Sequence, residues 1–127
     1  MMNVKKTIIP IFVSGIWISI SEFLRNQLFF KSYWLDHYLS LGMKFPEAPE
    51  NGMIWGLWSM VYAAVLFVLM KRFTLQESFL LGWVIGFLMM WLVIGNLGVL
   101  PMNLLIFAIP LSLLETYLAC LIIQKLS

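Results

Sequence analysis

Of 127 residues, 62% are hydrophobic and only 11% charged, where soluble domains average roughly 45–50% and about 25%, so a water-soluble fold is excluded. That apolar content suffices for four helices of ~20 residues, each long enough to cross a ~30 Å hydrocarbon core, while a net charge of +2 is too small for the basic stripe that nucleic acid requires. Cys120 is the only cysteine and His37 the only histidine, which excludes an intramolecular disulfide, a thiolate metal cage and a histidine cluster; no metal and no cofactor is expected.

The first apolar stretch follows Lys5 and Lys6 and could open a signal peptide, with Ser19, Ile20 and Ser21 as a small-x-small cleavage site. Apolar character resumes through Phe23, Leu24 and Leu28 to Phe30, so residues 7–30 are read as a retained first span. Residues 31–52 form the one substantial loop. Tyr33, Trp34, His37, Tyr38 and Leu41 recur there at helical spacing, which suits an interfacial amphipathic helix with its rings among the headgroups. Pro46 and Pro49 prevent that helix from continuing. Trp34, Asp36, His37 and Tyr38 thereby become candidates for an outer lid; the competing reading is an aromatic belt that anchors the first two spans.

Residues 53–70 carry no charge and end at Lys71 and Arg72, a second span with a basic stop. From residue 78 to residue 114 there is again no charge, a run too long for one crossing. The Gly-Asn-Leu-Gly-Val-Leu-Pro stretch at 95–101 supplies a turn, giving spans at 78–95 and 104–123. Backbone amides must be satisfied within the bilayer, which selects helices, and the apolar runs are continuous rather than alternating, which excludes a barrel. The expected fold is therefore all-α, one domain over residues 1–127 built as a bundle of four transmembrane helices. Lys5, Lys6, Lys71, Arg72 and Lys125 fall at one end of it, against Lys31 and Lys44 at the other. This bias places both termini in the cytoplasm and the 31–52 loop outside, in a cell membrane.

Ser19, Glu22, Arg25 and Asn26 share one face of the first helix. Intramembrane ions are costly, so Glu22 and Arg25 should pair, face the bundle or line water. Glu115 is expected ~16 Å below the outer boundary of the last span, near the midplane, with no basic residue nearby in sequence. It must hold a proton or find a cation on another helix. Arg25 and Glu115 lean toward one another, but the depths leave a gap of ~13 Å, more than one arginine spans, so direct contact needs tilt or a shifted boundary, and water or a ligand headgroup could fill the space. Pro110 and Ser112 mark a bend ahead of Glu115. Gly52 with Gly56, and Gly82 with Gly86, have the small-xxx-small spacing of close helix approach, which also makes a homo-oligomer plausible. Trp55, Trp58, Trp83, Trp91 and Tyr62 are candidates to line an apolar cavity.

Size and span number are similar to those of small multidrug-resistance transporters, which carry an acid in the first span. The residues around Glu22 do not follow their pattern, and Arg25 would neutralise a cation site there, so no family is assigned. The favoured function is binding or transport of a small amphipathic molecule or ion, with membrane lipids as the surroundings. Glu22, Arg25, Asn26 and Glu115 are the candidate ligand-binding or proton-exchange residues, Arg25 for an anionic headgroup and Glu115 for a proton. Two alternatives are an intramembrane enzyme using Asp36 or His37 as base and Glu115 as acid, and a structural subunit or assembly factor of a membrane complex. No nucleophile is nominated, since no Gly-x-Ser-x-Gly elbow is present.

Overall fold

The structure is a computed structural model and describes residues 4–127. The apolar stretches fold as helices α1 (Val4–Phe29), α3 (Pro49–Arg72), α4 (Leu75–Asn96) and α5 (Met102–Leu126), each long and apolar enough to cross a membrane. A short helix, α2 (Lys31–Ser40), follows α1, and no strand occurs among the described residues. This is an integral, multi-pass membrane architecture.

The helices run past the apolar stretches that reveal them. Pro49 occupies the first turn of α3, where its missing N–H is no loss, Glu50 sits beside it, and Lys71 and Arg72 occupy the last turn; all three charges complement the helix dipole. α4 starts ahead of its apolar run because Thr74 and Glu77 close a capping box: Thr74 Oγ1 accepts from the Glu77 amide at 3.2 Å, and the Thr74 amide donates to Glu77 Oε1 at 3.0 Å. α5 remains helical through Pro110, and Ser112 donates to the Ile109 carbonyl at 3.0 Å.

α1 packs chiefly on α3 and α5, and α4 completes the bundle against both. Gly82 and Gly86 allow close approach as their spacing implies: a Cβ at Gly86 would overlap the Tyr62 ring, and one at Gly82 would overlap Leu66. Tyr62 exploits that approach, its hydroxyl donating to the Gly82 carbonyl at 2.8 Å and lying 3.0 Å from Thr116 Oγ1. Gly52 and Gly56 behave differently. A Cβ at either would meet nothing within 4 Å, so this pair borders open space instead of a neighbouring helix.

Two stretches depart from α-helical winding: Leu24–Phe29 in α1 and Val84–Leu88 in α4 are π-helical. Such segments widen the turn and shift the residues that follow onto a new face, and they concentrate at functional sites. Beyond the first of them α2 lies across the helix tips. Phe30 stacks on Phe107 with ring centres 5.1 Å apart, and His37 Nε2 meets the Gly98 carbonyl at 2.8 Å. Gly98 turns α4 into α5 at φ +79°, a conformation only glycine adopts readily. The strap at residues 41–48 then folds back, bringing Phe45 against Trp34 and Tyr38.

Candidate functional site

The spacing of Glu22, Arg25 and Asn26 puts all three on the face of α1 that turns into the bundle. Arg25 Nη2 donates to Glu22 Oε1 at 2.6 Å, Asn26 Nδ2 donates to Glu22 Oε2 at 2.9 Å, and Trp34 of α2 donates its indole N–H to Asn26 Oδ1 at 3.0 Å. The Glu22 carboxylate is thus held on both oxygens. Arg25 is buried, and its Cζ lies 5.3 Å from the centre of the Phe87 ring. Arg25 belongs to one π-helical stretch and Phe87 to the other, so the two irregular segments meet across the guanidinium in a cation–π contact.

Glu115 joins the same cluster. Arg25 Nη1 and Glu115 Oε1 are 3.5 Å apart, an ion-pair separation longer than a good hydrogen bond. The contact expected to need tilt or a shifted boundary is therefore made directly, between side chains that lean toward one another. Trp17 fixes the level of α5 against α1 by donating to the Glu115 backbone carbonyl at 3.0 Å. Glu115 Oε2 has no hydrogen-bond partner among the described residues, an exception to the rule that buried polar atoms are satisfied.

Above this cluster lies a cavity of about 630 Å³ bounded by α1, the first turns of α3, the last turns of α4, the start of α5 and the strap. Glu22, Arg25 and Asn26 form its polar floor, Trp55 and Trp91 its walls, and Trp34, Tyr38 and Phe45 its roof. Gly52 and Gly56 give the cavity its width on the α3 side. Glu47 stands at the rim, paired with Lys31 at 2.6 Å; both are partly exposed, where such a pair contributes about 0–1 kcal/mol.

Of the four lid candidates, Trp34 and Tyr38 line the cavity. Asp36 is exposed and His37 is turned to the Gly98 carbonyl, so neither borders it. Glu115 lies behind Arg25 rather than on the cavity wall. Trp58 and Tyr62 pack on Phe87 within the core, and Trp83 donates to Ser112 Oγ at 2.9 Å, leaving Trp55 and Trp91 as the lining members of the aromatic group. Trp17, Phe87 and Ser59 were not singled out from sequence. Trp17 had no signal, and Phe87 would have required the register of a π turn. Ser59 lies one helical turn from Gly56 on the same face of α3, which is a signal that spacing does offer. Comparison with protein-family models, with curated proteins and with solved structures gives no match, so only this chain's own residues speak to what the site does.

Proposed function

We propose that this membrane protein binds, and moves into or out of the bilayer, a small amphipathic molecule held in the cavity beneath α2. The observation that carries the reading is the cavity itself: about 630 Å³, within the range of small-molecule sites, and mostly apolar with a few convergent polar groups. Its floor is the Glu22, Arg25 and Asn26 cluster. Buried ions in a membrane helix are disfavoured and are kept where they serve a site. The apolar body of a ligand would pack on Trp55, Trp91 and Phe45 while its polar end reaches the floor. Lipid chains would cover the outer faces, where Met53, Ile54 and Leu57 of α3 are exposed.

Gly56→Leu tests this reading, because Gly56 lines the cavity and a Cβ there meets nothing within 4 Å, so the added side chain starts into open space. Mass spectrometry of protein released from mild detergent should find a drug-sized amphiphile on the wild type and little or none on Gly56→Leu. The same complement of bound molecules on both proteins would overturn the proposal.

The basic residues support an orientation with the α2 end outside and both termini in the cytoplasm. In a Cys120→Ser background, a membrane-impermeant thiol reagent on intact cells should label a cysteine at Ala48 and spare one at Ser127. The opposite labelling would reverse the orientation.

A further inference from the structure

The polar residues round the cavity bear on the class of ligand, an inference that rests on the binding function proposed above. They fall into two groups. The charged ones are engaged with one another: Glu22 pairs with Arg25 at 2.6 Å, and Glu47 with Lys31 at 2.6 Å. The other acid on Arg25, Glu115, lies behind it and off the cavity wall. A charged ligand would have to break an existing pair or leave its own charge unmatched, and an unmatched charge away from water is strongly disfavoured.

The second group is uncharged and unengaged. Ser19 and Gln27 of α1, Tyr38 of α2 and Asn51 of α3 line the cavity, and none of their side chains makes a hydrogen bond among the described residues. Asn26, Trp34 and Ser59 are by contrast already donating, to Glu22, to Asn26 and to the Trp55 carbonyl. Two hydroxyls and two amides therefore remain, each able to donate and to accept. They come from three helices, so they surround a ligand instead of converging on one atom.

We infer that the polar end of the ligand is uncharged and bears several hydroxyl groups, as a sugar or glycerol headgroup does, on an apolar chain. A ligand that satisfies groups spread round the wall needs several groups of its own that both donate and accept, which is the property of hydroxyls. Glu22, Arg25 and Asn26 add to this match, because their remaining lone pairs and N–H groups can bond a hydroxyl without giving up the pair between them. The same wall carries the rings of Trp34, Phe45, Trp55 and Trp91, flat apolar faces on which the C–H groups of a headgroup and chain pack. Each hydrogen bond between uncharged partners is worth about two- to tenfold in affinity.

Octyl glucoside, monooctanoylglycerol, octyltrimethylammonium and octyl sulfate share an eight-carbon chain and differ in headgroup. Each is measured by equilibrium dialysis against the protein in phosphatidylcholine nanodiscs, for the wild type, Gly56→Leu, Tyr38→Phe and Asn51→Leu. Uptake by the Gly56→Leu discs is subtracted as partitioning into lipid; if that variant does not fold, empty discs supply the subtraction. The expected result is that one or both hydroxylated probes bind about tenfold or more tighter than either ion. Tyr38→Phe, which keeps the ring, and Asn51→Leu should each weaken that binding by about two- to tenfold. Binding of the glucoside alone would assign a sugar headgroup and binding of the glycerol ester alone a glycerol headgroup, and either supports the inference. An ion bound in the cavity as tightly as the hydroxylated probes would overturn the inference and leave the ligand cavity standing. Binding of the hydroxylated probes that neither Tyr38→Phe nor Asn51→Leu changes would also overturn it. If none of the four binds above the lipid background, the inference and the cavity reading both fall.

Discussion

Arg25→Gln should destabilise the folded protein by about 3–5 kcal/mol, the loss expected when one partner of a buried ion pair is removed and the other is stranded. Here the effect belongs at the upper end of that range, because Arg25 serves Glu22 and Glu115 at once and also covers Phe87. Glutamine keeps a donor but neither the charge nor the two-armed reach. Arg25→Lys should recover only part of the loss: an ammonium retains the charge, yet it cannot present separate, fixed N–H groups to two carboxyls on different helices. Combining Arg25→Gln with Glu22→Gln should cost less than the two single changes added together, with a coupling of about 1 kcal/mol or more. Denaturation in neutral detergent provides the measurement. Strict additivity would mean that the pair is not coupled in the folded bundle.

Phe87→Ala should lower stability by about 2 kcal/mol. In a bilayer the alternative surroundings of an apolar side chain are as apolar as the core, so loss of transfer free energy contributes little and packing dominates. What remains is the void, about 24 cal/mol per Å³ over the roughly 100 Å³ between the two side chains. Phe87 is fully buried and touches the rings of Trp58, Tyr62 and Trp91 as well as Arg25, so little collapse into the void is available. Phe87→Leu should restore most of the stability while removing the ring face from Arg25. A loss on Phe87→Ala no larger than that of a lipid-facing change such as Leu92→Ala, at a side chain 65% exposed, would contradict the packing described.

Much of this arrangement was legible in the sequence because it depends on periodicity. Spacings of three and four place Glu22, Arg25 and Asn26 on one face, and uncharged runs locate the four long helices. Where the reading stopped, the reasons were local. The Thr74 to Glu77 cap is visible in sequence, but hydropathy sets the start of α4 after it. The π turns at Leu24–Phe29 and Val84–Leu88 leave no residue signature, and they govern how Arg25 meets Phe87. Gly52 with Gly56 has the same spacing as Gly82 with Gly86, yet one pair borders a cavity and the other a packed ring; spacing carries no information about what faces a glycine. Arg25 and Glu115 meet at 3.5 Å although nominal helix depths set them apart, because counting residues along each helix carries no information about how the two helices are offset or tilted.

Two engineered cysteines test the cavity beneath α2 most directly. Gly56 borders the cavity, and a Cβ there meets nothing within 4 Å, whereas Ser112 is fully buried against Trp83 and its own helix. In a Cys120→Ser background, Gly56→Cys should react with a small maleimide in the folded protein, and Ser112→Cys should react only on unfolding. Equal protection of the two thiols would contradict the account.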